Sequence, residues 1–185
     1  MMDIELAGTF LIAGIFIISL LTIDGQIMES NTVNSLNVNA QSNATGIATM
    51  LQTDLRKIGQ GLENTTESIR AVSDTGLTFV ADIDTDSDLD TVTYRIGAPG
   101  ETTGTENPGD CYLYRSFNGA ESDIALGLTR LELSYFNSMG DTTSVLSEIR
   151  TIGIKFSVET PFYYQERIGS AIWQGHVTPN NLKKI

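Results

Sequence analysis

Residues 6–23 read LAGTFLIAGIFIISLLTI, eighteen positions without a charge. A helix over them spans about 27 Å, close to the roughly 30 Å hydrocarbon core of a bilayer. After Asp24 the chain turns polar but keeps a helical period. Val33, Leu36, Ala40, Ala44, Ile47, Ala48, Leu51, Leu55, Ile58 and Leu62 step by three and four. They form one apolar stripe opposite a face of Asn, Ser, Thr and Gln. Gly59 and Gly61 supply a stop. Asp24-Gly25 and the Asn-rich stretch 31–39 are weak helix formers, so bending is expected there. Gly14 is a place for local unwinding, since Gly costs about 1 kcal/mol against Ala in a helix. If continuous from Asp3 to Gly61, the helix is roughly 90 Å long. The remaining domain is too small to cover such a rod. Its front half must enter lipid or pack on copies of itself.

From Leu77 onward the period falls to two. Segments 77–83 (LTFVADI) and 91–96 (TVTYRI) flank an acidic turn and read as a hairpin. Further strands are expected over 111–117, 128–136, 149–158 and, more weakly, 172–177. Segment 149–158 places Ile152, Ile154, Phe156 and Val158 on one face. Loops are marked at 97–108 and 137–143. A run of strands after one long helix predicts an α+β fold, the helix packed on an antiparallel sheet. The chain therefore divides into an apolar helix (1–24), its amphipathic continuation (25–62) and a β-rich globular domain (63–185).

The formal net charge of −12, from 11 basic and 23 acidic residues, argues against direct nucleic-acid binding, which needs clustered Lys and Arg. The single cysteine, Cys111, excludes an intramolecular disulfide and a cysteine-built zinc cluster. A cleavable secretory signal fits poorly, because its leading region should be basic and here holds Asp3 and Glu5, and no small-residue cleavage site follows.

Glu5 abuts the apolar run. A buried carboxylate costs several kcal/mol unless paired. The amine of Met1 reaches it poorly within one helix, but in a staggered bundle one chain's amine can meet the next chain's Glu5. Met1, Ile4, Glu5 and Leu6, ahead of an apolar helix of this length, resemble the mature N-terminus of the type IV pilin and pseudopilin family. The segment TDLRKIGQGL (53–62) and the order of strands resemble minor pilin and minor pseudopilin domains. The chain departs from the family in having Asp3 as a second acid and Thr22 where many major pilins have a helix-breaking Pro. No basic leader ending in Gly precedes Met1, so the resemblance implies a chain already in its mature form.

That resemblance implies a structural filament subunit rather than an enzyme, with Met1, Glu5, Leu6, Phe10, Gly14 and Phe16 as assembly residues. It also implies the inner membrane before assembly and an extracellular filament on the cell surface afterwards. The partners implied are copies of the chain or other pilins, a prepilin peptidase and a pilus assembly platform. Two alternatives stand beside it: a minor or tip pseudopilin of a secretion system, and a monomeric membrane-anchored binding domain.

Candidate chemistry outside the helix is sparse. Asp82, Asp84, Asp86, Asp88 and Asp90 alternate through DIDTDSDLD, a set of hard oxygen ligands that suits calcium. Ser87 stands where an EF-hand loop needs Gly and Thr93 where it needs Glu, so that motif is excluded, and a solvated turn is the plainer expectation. Cys111 and His176 are the sole nucleophile–base pair, with nothing local to join them. Tyr112, Tyr114, Phe117, Tyr135, Phe136, Phe162, Tyr163, Tyr164 and Trp173 are expected in the sheet core and in strand pairs. The run PFYY at 161–164 is a candidate surface for a neighbouring subunit.

Overall fold

The computed structural model describes residues 2–183, with side-chain surroundings for residues 6–125 and 127–182. One helix, α1 (Met2–Arg56), precedes a seven-stranded antiparallel meander. The strands are β1 (Ile69–Ser73), β2 (Gly76–Ala81), β3 (Asp90–Ile96), β4 (Cys111–Phe117), β5 (Ala120–Phe136), β6 (Thr151–Glu159) and β7 (Ser170–Val177). They lie side by side in chain order. The fold is α+β, with a long helix packed on an antiparallel sheet.

At 55 residues α1 is about 82 Å long. It is unbroken at Gly14, where unwinding was expected, and stays helical through Asp24-Gly25 and 31–39. Hydroxyls along the helix return hydrogen bonds to the preceding turn: Ser19 to the Ile15 carbonyl, Thr22 to Ile18 and Thr32 to Met28. They satisfy polar groups within the helix instead of drawing the backbone away from it. The helix ends at Arg56, short of Gly61, because the chain then tightens through residues 57–61 with Gly59 at φ 78° and Gly61 at φ 79°. Both angles favour glycine.

The predicted stripe is the buried face. Ala40, Ala44, Ile47, Ala48, Leu51, Leu55 and Ile58 are buried; Val33, Leu36 and Leu62 at its ends are half-buried. Most of that stripe joins one core with Phe79, Val92, Tyr94, Leu113, Leu131, Ile154, Phe156 and Val158 from the sheet. Small residues let the helix come close. A side chain on Gly169, just before β7, would meet the backbone of Leu36 at 2.4 Å. Main-chain bonds fix the helix end: Gly59 N donates to the Val80 carbonyl and Asn180 N to the Arg56 carbonyl.

Several strand boundaries differ from expectation. β1 was not anticipated: its pattern shows one fully buried residue, Ile69, and so lacks clear alternation. β5 begins at Ala120, eight residues before the expected Leu128. Gly127, at φ 92°, marks irregular pairing, and the register with β6 shifts between Leu128 and Arg130. That bulge puts Leu128 on the buried side with Leu131, Leu133 and Tyr135, although strict alternation groups it with Arg130 and Glu132. Ile83 belongs to the acidic turn, and residues 146–148 form a short 3-10 turn before β6 starts at Thr151. Of the nine aromatics expected in the core or in strand pairs, Tyr135 alone is buried. Tyr112 and Tyr114 pair with each other at 5.9 Å, and Trp173 stacks on Phe156 at 5.4 Å. Phe162 and Tyr163 are exposed.

Candidate assembly surface

The front of α1 leaves its apolar side chains uncovered. Leu6 is 59% exposed, Phe10 70% and Phe16 63%, and nothing lies within 4 Å of a Cβ placed on Gly14. Phe10, Leu11 and Ile12 are all exposed, as are Ile15 through Ile18. Successive helical residues turn by about 100°, so this segment is apolar around its whole circumference rather than along one stripe. Eleven large apolar side chains between Leu6 and Ile23 are exposed, and covering them would stabilise the chain by on the order of 10–20 kcal/mol. This is one helix long and apolar enough to cross a membrane.

Met1 and the Glu5 side chain lie outside the described residues. The sequence of α1 contains no Lys or Arg before its last residue, Arg56, so no basic side chain of the same helix lies within a few turns of Glu5. The domain first grips the helix at Glu29, which pairs with Arg167 at 2.8 Å, and at Asn37, whose Oδ1 accepts from Ser170 N.

The acidic turn between β2 and β3 brings carboxylate oxygens of Asp82, Asp84 and Asp86 within 4.8 Å of one another; Asp88 is outside that group. Asp82 Oδ1 accepts from Thr85 N at 2.7 Å, Asp86 Oδ1 from Asp88 N at 2.8 Å, and Asp90 Oδ2 from Ile83 N at 3.1 Å. Lys57 Nζ donates to the Ile83 carbonyl at 2.6 Å. The turn thus caps its own backbone. Partial desolvation, followed by the charges of Asp86 and Asp90, raises the pKa of Asp84.

Cys111 and His176 are not brought together. They occupy β4 and β7, with β5 and β6 between them. Burial, then the charges of Asp110 and Glu101, pushes the Cys111 thiol up and away from the reactive thiolate. His176 packs on Phe136 at 5.7 Å.

The sequence reading passed over Asp110, which closes the 97–110 loop. It is 0% exposed, and neither carboxylate oxygen has a hydrogen-bond partner. Burial raises its pKa, weak hydrogen bonding from the Thr105 hydroxyl, short of good geometry, opposes that shift, and the charge of Glu159 adds to it. Nearby, Asn107 Nδ2 donates to Glu159 Oε2 at 2.8 Å and Thr102 Oγ1 to the Asp110 carbonyl at 3.4 Å. The stretch NPGD signals a turn, and a single Asp within it carries no further sequence signal.

No family model, curated protein or solved structure matches this chain.

Proposed function

We propose that this chain is a structural subunit of a type IV pilus-like extracellular filament, assembled through the front half of α1. The observation that carries this reading is the helix segment from Leu6 to Met28, apolar around its circumference over the first eighteen residues and with its large apolar side chains exposed. Hydrophobic burial drives such segments to bundle or to enter lipid. In this proposal the same helix holds the subunit in the inner membrane before assembly and lines the filament core afterwards, with the sheets forming the outer coat.

Glu5 separates assembly from simple anchoring. With no Lys or Arg on its own helix before Arg56, its carboxylate is neutralised by the N-terminal amine of a neighbouring copy, which sets the stagger. A wrong stagger leaves a buried charge unpaired, at several kcal/mol. The domain, a seven-stranded meander behind one long helix, is compatible with a pilin-like plan, and the minor or tip pseudopilin stands as the second reading.

The test is electron microscopy of surface-sheared material from cells expressing the wild type or Glu5→Lys, with fractionation of the membranes. Filaments in the wild type and none in Glu5→Lys, with the variant still in the membrane, are the expected result. Filaments of equal abundance in both would defeat the assembly role of Glu5. Filaments holding only traces of the chain would move it to the tip.

A further inference from the structure

We propose that Asp110, together with Glu159 and the oxygen-rich 102–107 loop, binds a calcium ion where that loop meets the end of β6. The proposal is independent of how the chain assembles.

Both Asp110 oxygens are buried with no donor in good hydrogen-bond geometry, the Thr105 hydroxyl offers them only weak hydrogen bonding, and no ion pair reaches them among the described residues. A carboxylate placed so is strongly destabilising unless a cation pairs with it. Asn107 links a second carboxylate to the place: its carbonyl accepts from Asp110 N at 3.2 Å and its Nδ2 donates to Glu159 Oε2 at 2.8 Å, and the Glu159 charge adds repulsion. One divalent cation offsets both charges.

The surroundings select the ion. Thr102 and Thr105 contribute hydroxyls 3.2 Å apart. Glu159 Oε2 is oriented by Asn107, and Asn107 Oδ1 in turn accepts from Gly109 N at 3.0 Å. These are hard oxygen donors from a loop and a strand end, in irregular array. Calcium accepts six to eight such ligands with flexible geometry, whereas magnesium demands a tight octahedron and keeps its waters. The nearby Cys111 donates to the Gly109 carbonyl at 3.5 Å and keeps its thiol form, so a zinc site is not indicated.

The acidic turn at Asp82, Asp84 and Asp86 is the rival site. Its carboxylates already accept backbone N–H groups, whereas those of Asp110 accept none.

The test uses the full chain in detergent micelles, stripped with a chelator and titrated with calcium or magnesium chloride to about 10 mM, a saturating level for sites of millimolar affinity or better. Calorimetry gives stoichiometry, and thermal unfolding gives the shift. Calcium is expected to raise the wild-type Tm by roughly 5 °C. Asp110→Asn should lose that rise, and the triple variant Asp82→Asn, Asp84→Asn, Asp86→Asn should keep it. No calcium shift in the wild type, a retained shift in Asp110→Asn, or loss in the triple variant each overturns the proposal. Should Asp110→Asn fail to fold, Glu159→Gln decides: calcium affinity at least about tenfold weaker supports the site, and unchanged affinity overturns it.

Discussion

Asp54 sits in the last turn of α1 and ties the helix to the sheet. Its Oδ2 accepts from Tyr94 Oη at 2.6 Å and from Arg115 Nε at 2.9 Å. Burial, then the bond to Asp54, raises the Tyr94 pKa well above the ordinary phenol value. The three groups are unequal. Tyr94→Phe removes one hydrogen bond and should cost about 1 kcal/mol. Asp54→Ala strands a partly buried guanidinium as well and should cost about 3 kcal/mol. Urea unfolding followed by the fluorescence of Trp173, the chain's one tryptophan, measures both. Equal costs would show that the hydroxyl, not the charge pair, fixes the helix. At the surface, hydrogen bonds from Arg95 hold the Glu121 carboxyl below its usual value of 4.5. A depressed folded pKa means that its stabilising contribution is present above that value and lost as pH falls through the lowered one. Wild type and Glu121→Gln should therefore differ near neutrality and converge in acid. A difference that grows in acid would contradict this sign.

The relation of helix to sheet depends on close approach at small residues. Gly169 is the tightest point, since any Cβ there meets main-chain atoms of Leu36, which cannot swing aside as a side chain can. Gly169→Ala should push α1 from β7 and destabilise the domain by about 1–3 kcal/mol. The same urea measurement checks it, and a change under about 0.5 kcal/mol would mean that the helix shifts freely. Much of this arrangement was legible beforehand. The three-four stripe from Ala40 to Ile58 named the helix's buried face, and the alternation of Ile152, Ile154, Phe156 and Val158 named the inner face of β6. Other features lacked a local signal. The bulge between Leu128 and Arg130 changes which residues of β5 point inward, and only the partner strand's register reveals it. The orphaned carboxylate of Asp110 is produced by a loop folding over it, and nothing in the residues beside it announces that burial. Of the acidic turn, the clustering of Asp82, Asp84 and Asp86 was legible; that they cap their own backbone was not.

The whole molecule is a domain at one end of a rod, and its two ends obey different demands. Beyond Ala40 the helix is part of a core, where truncating Leu51 or Leu55 to Ala should cost about 2–5 kcal/mol. Ahead of Glu29 it contributes nothing to that core, because the described side chains from Leu6 to Met28, Gly14 excepted, are exposed. The energy of burying them is realised only against lipid or other copies. Removing residues 1–28 should therefore release a soluble monomer whose unfolding free energy lies within about 0.5 kcal/mol of the full chain's, with an unchanged urea midpoint. Sedimentation and Trp173 fluorescence on the two forms make the comparison. If the shortened chain unfolded, the front of α1 would have to support the domain through contacts that its exposure denies. If it folded but still associated, the assembling surface would lie on the domain itself, and the exposed Phe162 and Tyr163 would be the first place to look. A monomer with an unchanged midpoint would assign association to the apolar helix and stability to the rest, and it would leave Glu5 to set the stagger between copies.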